Sequence, residues 1–236
     1  MNETTPLPGD FNQARVVLLI TIGLTVLLYV VPWARALAYP FMLLSTLAHE
    51  LGHGIAAVLC GGSFERFEMW PDGSGVAMSR IPDGRLRLAW VAAGGLIGPA
   101  IVAAFAFALG RTEEGARVAL WGAAGFLFLA QIFVVRGFFA MFFVAVVALV
   151  SAGVAWKAPG ELAQLWLVFL AVQLALSVFS RGDYLFTATA QTGAGPMPSD
   201  VAQMAQALFL PYWFWGFVCG GFSVAVLLFA LKIFWK

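Results

Sequence analysis

The stretch LAYPFMLLSTLAHELGHGIAAVLC, Leu37 to Cys60, decides how the rest of the chain is read. It is apolar and of membrane-spanning length, since about 20 apolar residues cross a bilayer core. Yet His49, Glu50 and His53 lie inside it. A charged side chain at such depth costs at least ~2.5 kcal/mol, so these residues point to function before they point to packing. Their spacing says more than their depth. His49 and His53 are four residues apart, which stacks both rings on one helical face within reach of one metal ion. Glu50 projects beside them, where a general base would stand. His-Glu-Leu-Gly-His is therefore a candidate zinc-hydrolase centre placed inside a membrane helix.

The composition fits that setting. The chain is 62% hydrophobic and 11% charged, whereas a soluble domain carries about 25% charged residues. With a mean hydropathy of +0.91, the expected fold is an all-α polytopic membrane protein in a lipid bilayer. A net charge of +1 lacks the clustered basic footprint that a nucleic-acid partner needs. Cys60 and Cys219 both sit in or beside apolar segments and read as small packing residues rather than a disulfide. The chain has two histidines and both belong to the motif. Any third protein ligand must then be a carboxylate, with cysteine the second choice, and the three-histidine metzincin arrangement is excluded.

Residues 1–15 read as a disordered polar tail, ahead of a single membrane-embedded domain over 16–236. The first apolar run is Val16–Trp33. Ala34-Arg35-Ala36 after it resembles a signal-peptidase site, but the run is long for a signal core and no positive cluster precedes it, so it reads as a retained anchor. The motif span follows, then a polar insertion, 61–87. Two short runs flank Pro71-Asp72-Gly73 there and suggest a β-hairpin at the membrane surface, against the plainer alternative of an ordered loop. Leu88–Leu109 is the next span, with Gly94 and Gly98 making a small-xxx-small face. Val118–Trp156 is about twice spanning length and splits at Arg136-Gly137. Leu162–Ser180 is the sixth span, and a Gly/Pro/Thr/Ser-rich loop runs from it to Ser199. Ser199-Asp200 looks like a helix N-cap, and the last span, broken by Pro211, covers about Ala207–Phe234. About seven transmembrane helices result, with a small hairpin after the second. Lysine and arginine divide almost evenly between the two sides, so the positive-inside rule gives no orientation.

Counting spans also tests the third ligand. His53 lies roughly 10 Å from the Cys60 end of its helix, and alternating crossings bring Asp183 and Asp200 to that same side. Glu113, Glu114 and Glu161 fall on the opposite one. Glu65, Glu68, Asp72 and Asp83 share the near side but sit in the insertion, where solvated loop charges are ordinary. Asp183 is favoured because it directly continues an apolar helix, whereas an acidic residue in a helix first turn, as Asp200 is, already serves the macrodipole. Pairing with Arg181 is the competing role for Asp183. Ser45 and Thr46, a turn before His49, either orient a ligand or bond back to their own helix.

With these residues in place the chain resembles the site-2 protease family of intramembrane zinc metallopeptidases, and within it the short B-like bacterial branch. His49-Glu50-Leu51-Gly52-His53-Gly54 carries the match. Gly61-Gly62, the turn Pro71-Asp72-Gly73-Ser74-Gly75, the Gly94–Pro99 helix and the Ser199-Asp200 helix start add to it. The resemblance implies zinc (Zn2+) on His49 and His53, Glu50 as catalytic base, and an aspartate from a later span as third ligand. It also implies membrane-embedded protein substrates and a bacterial cell membrane. The chain is too short for an inserted PDZ domain. Two other readings stand beside this one. A non-catalytic scaffold gripping single-span partners is opposed by the intact Glu50. A membrane zinc hydrolase with a non-peptide substrate is allowed by the motif, because metal and base serve any carbonyl hydrolysis. Nothing in the sequence speaks to oligomeric state.

Overall fold

Lipid offers no hydrogen-bond partners, so a chain this apolar folds into helices that satisfy their own backbone. The computed structural model describes residues 8–31, 34–180 and 184–235. The order is α1 (Pro8–Val30), α2 (Arg35–Leu59), β1 (Ser63–Met69), β2 (Gly75–Arg80), α3 (Arg85–Leu109), α4 (Glu113–Phe133), α5 (Phe138–Lys157) and α6 (Gly160–Ser180). A 3-10 turn (Tyr184–Phe186), β3 (Thr189–Thr192), β4 (Gly195–Pro198), α7 (Asp200–Leu208) and α8 (Tyr212–Trp235) complete it. Among the described residues seven helices, α1 to α6 and α8, are long and apolar enough to cross a membrane. The protein is an all-α polytopic membrane protein, as composition implied.

Helix α3 sits at the centre, antiparallel to α2. Glycines make that contact possible. A Cβ on Gly98 would stand 2.8 Å from the Ala48 carbonyl oxygen, and one on Gly94 would stand 2.8 Å from that of Gly52. This is the close backbone approach that small residues one turn apart allow. On its other faces α3 buries Ala100, Ala103 and Phe107 against Leu120, Val168 and Phe234. Helix α1 lies along α6 in the same direction, Gln13 meeting Gln164 at 3.2 Å and Thr25 meeting Gln173 at 2.8 Å. The expected split of the long run holds: Gly137, at φ +82, separates α4 from α5. Arg136 donates to the carbonyls of Val135 (2.7 Å) and Phe133 (2.8 Å), which occupies acceptors the helix end leaves over.

Four details depart from the sequence reading. Helix α1 begins at Pro8, inside the expected tail; proline suits a first helical turn because the amide it lacks would find no partner there. Met1–Leu7 lie outside the described residues. The insertion is a hairpin, but it does not lie flat on a surface. It stands along α2: Phe64 packs on Gly54, Thr46 donates to the Gly73 carbonyl at 2.7 Å, and Tyr39 donates to that of Pro71 at 2.5 Å. The turn thus reaches past the midpoint of α2. The outer edge of β1 is used as well, Phe67 N–H meeting the Val134 carbonyl and Arg136 N–H the Phe67 carbonyl, each at 2.8 Å. Non-helical backbone is tolerated at depth when it is satisfied in this way.

The third departure is a second hairpin, β3–β4, in the segment read as a loop. The fourth divides the last span. Phe209 adopts φ +65 and Pro211 follows, so α7 is a separate short helix that packs Val201, Met204 and Ala207 against Ala89, Ala92 and Leu96 of α3.

Candidate metal centre

Helix α2 delivers the motif as its spacing requires. His49 and His53 lie on one face with Nε2 atoms 3.2 Å apart. Glu50 is buried at 6% exposure in the same stretch of helix. The opposing acid comes from α7. Ser199 caps that helix, its hydroxyl accepting from Ala202 N–H at 3.2 Å and donating to the Thr187 carbonyl at 2.6 Å. Asp200, the next residue and 4% exposed, turns its carboxylate to the histidines. Its Oδ2 lies 3.0 Å from His49 Nε2 and its Oδ1 3.3 Å from His53 Nε2. Among the described residues this is the acid that the structure brings to the histidines. Asp183, the favoured candidate from sequence, lies outside the described residues.

The three donors suit zinc. Ligands held 2.0–2.2 Å from a tetrahedral zinc stand about 3.3 Å from one another. The two Nε2 atoms, 3.2 Å apart, match that spacing, and the carboxylate faces both, Oδ2 at 3.0 Å from His49 and Oδ1 at 3.3 Å from His53. Two imidazole nitrogens and one carboxylate oxygen are also a donor set that catalytic zinc sites use. His53 is held from behind, its Nδ1 being 2.8 Å from the Val91 carbonyl oxygen. A protein acceptor at that position fixes the ring's orientation and leaves Nε2 for the metal. Its front is bounded by Gly95, where any Cβ would collide with the imidazole. The Tyr184 ring meets His49 edge-on at 5.7 Å between centroids.

His49, Glu50, His53 and Asp200 line a cavity of about 270 Å³. Gly75, Val76, Ala77 and Ser79 of β2 wall one side, and Ser79 has a buried hydroxyl oxygen without a hydrogen-bond partner among the described residues. The β3–β4 hairpin walls the other side. Its tip docks on the tip of the first hairpin: Gly193 N–H donates to Ser74 Oγ at 3.0 Å, and Gly193 lies against the Trp70 ring. In the same turn Asp72 accepts from Ser74 N–H (2.9 Å) and Oγ–H (2.7 Å), and those two bonds hold its carboxyl below the ordinary aspartate pKa. An apolar cleft of about 360 Å³ lies on the far face of α2. No titratable side chain lines it, so the chemistry belongs to the polar cavity.

The motif carries His49, Glu50 and His53 in the sequence, and Asp200 stands there as the second candidate for the acid. Tyr184 and the Val91 carbonyl carry no sequence signal of their own, and Gly95 stands in the sequence only as part of the Gly94–Pro99 stretch. Their roles come from helix packing.

The chain belongs to the Peptidase M50B-like family, whose model matches residues 18–230. This is the site-2 protease family, the resemblance that the motif suggests. No curated protein and no solved structure matches it.

Proposed function

We propose that this protein is an intramembrane zinc metallopeptidase, with His49, His53 and Asp200 as ligands and Glu50 as general base. One observation carries the reading: two Nε2 atoms and a carboxylate converge at zinc-ligand spacing next to a buried glutamate, in a cavity beside membrane helices. Membership in a metallopeptidase family supports it. Zinc bound there would lower the pKa of its water toward ~7 and polarise the scissile carbonyl. Glu50 takes the proton of the attacking water and passes it to the leaving nitrogen. Burial of Glu50 keeps bulk water from competing for that proton. Asp200 replaces Asp183 as the proposed ligand because its carboxylate already touches both rings.

The substrate class follows from the walls. A peptide bond within a membrane helix is shielded by its own hydrogen bonds, so the substrate must unwind before attack. On the edge of β2 away from β1, the Ala77 N–H meets the Glu50 carboxylate, and the remaining backbone groups there offer partners to such a segment by strand addition.

Zinc content and cleavage of a model membrane-helix substrate test the reading in wild type, Glu50→Gln, Asp200→Ala and Asp183→Ala. Glu50→Gln should keep zinc and lose about 10²–10⁴-fold in turnover, the usual worth of a positioned acid–base group. Asp200→Ala should lose the metal, and Asp183→Ala should keep it. A zinc-free wild type, or a Glu50→Gln protein as active as wild type, would end the proposal.

A further inference from the structure

The two histidines are not served alike. His53 has the Val91 carbonyl behind it, the kind of outer acceptor a metal-bound imidazole ordinarily has. His49 turns Nε2 to Asp200 and His53, and no described protein group accepts from its Nδ1. What lies against that ring is a second, smaller cavity of about 40 Å³ between α2, α3, α6 and α8.

Three hydroxyls line this cavity together with His49. Ser45 stands one turn earlier on the same face of α2, Ser177 comes from α6 and Ser223 from α8, at 2%, 8% and 1% exposure. Ser177 donates to the Leu174 carbonyl at 2.7 Å, which leaves its oxygen free to accept. Neither Ser45 nor Ser223 has a protein hydrogen-bond partner among the described residues. An unpaired buried hydroxyl costs about 1–3 kcal/mol, yet Ser45 and Ser223 meet Ser177 at one space, from three helices in all. An apolar cavity stays dry, but a polar one with two to four partners holds water once it offers about 10–15 Å³.

We propose that this cavity is a built water site, in which a water accepts from His49 Nδ1–H and is held by Ser45, Ser177 and Ser223. The water is the outer-shell partner of His49, as the Val91 carbonyl is of His53. It fixes the His49 tautomer with Nε2 free for the metal. The inference rests on His49 being a metal ligand, as proposed above.

The test measures zinc affinity by chelator competition in detergent and locates the water in a high-resolution map of the wild-type protein. Ser45→Ala with Ser223→Ala removes partners and keeps the space; Ser223→Val fills the space. Ser151→Ala, a buried serine on α5 away from the cavity, is the control. Both cavity variants should bind zinc about 10–100-fold more weakly, the usual effect of losing an outer-shell partner, and the control should match wild type. The map should show density within hydrogen-bond distance of His49 Nδ1. Wild-type zinc affinity in the folded cavity variants, or a map in which His49 Nδ1 meets a protein carbonyl, would overturn the water site alone. Should Ser223→Val not fold, the double alanine variant and the wild-type map decide. A wild type that binds no zinc overturns the metal centre itself and this inference with it.

Discussion

Adding one methyl group at Gly95 should loosen the metal centre without touching a ligand. The Cβ would stand 2.7 Å from His53 Cδ2 and closer still to Cε1 and Nε2. Carbon contacts settle at about 3.5–4.0 Å, so ring and helix must part by about 1 Å. The ring has little room to yield, because its Nδ1 is held 2.8 Å from the Val91 carbonyl on the same helix, one turn before Gly95. Overpacking of this kind costs about 1–3 kcal/mol. If the strain falls on the ligating position of His53, it lowers zinc affinity by about 5- to 150-fold. Gly98→Ala supplies the comparison. Its Cβ would crowd the Ala48 carbonyl at 2.8 Å and Gly52 Cα at 3.3 Å, with no ligand in the way. Both variants should lower the thermal unfolding temperature in detergent, but in chelator competition Gly95→Ala should lose far more zinc affinity than Gly98→Ala. Equal losses would refute the argument that Gly95 exists to seat His53.

Two further outcomes concern the paired hairpin tips. Ser74→Ala removes the acceptor of Gly193 N–H; at about 0.5–1.5 kcal/mol for one hydrogen bond, amide exchange at Gly193 should accelerate about 2- to 10-fold while exchange in α3 stays unchanged. The same tip should respond to acid. The Asp72 carboxyl has its pKa lowered by its two bonds from Ser74, so its contribution is present above the unfolded aspartate value of about 3.9 and is lost as pH falls through the folded one. Exchange at Ser74 and Gly193, corrected for intrinsic rates, should therefore rise below about pH 4 in wild type. In Asp72→Asn that rise should be absent.

The parts of the fold that were legible in the sequence are those set by local pattern. Apolar length gave the seven helices, Arg136-Gly137 marked the break between α4 and α5, and Gly94 and Gly98 marked the face that receives α2. The motif gave His49, Glu50 and His53 because one helical turn fixes their relation. The aspartate was different. Span counting expects both Asp183 and Asp200 on the side of the histidines, where the structure places Asp200, and the preference between them turns on which has another task. In the sequence a helix-start role competes for Asp200. In the structure Ser199 does the capping, which leaves the Asp200 carboxylate free. One signal did exist: Val201, Met204 and Ala207 recur every three residues before Pro211, the stripe of a short amphipathic helix separate from the last span.

The hairpins show a different obstacle, and a consequence for the site. Strand β4 holds Pro196 and Pro198, residues that argue against a strand because they donate nothing to a ladder. Paired opposite Gln191 and Thr189, they fit where the missing N–H points away from β3. That arrangement also closes the far edge of β4 to any further strand. The far edge of β1 is closed as well, by Val134 and Arg136. The remaining edges, of β2 and β3, are the ones whose residues line the cavity with Glu50. Pairing capacity is thus withheld from the outer edges of both hairpins and left beside the candidate metal centre, where the proposed unwound peptide would need it.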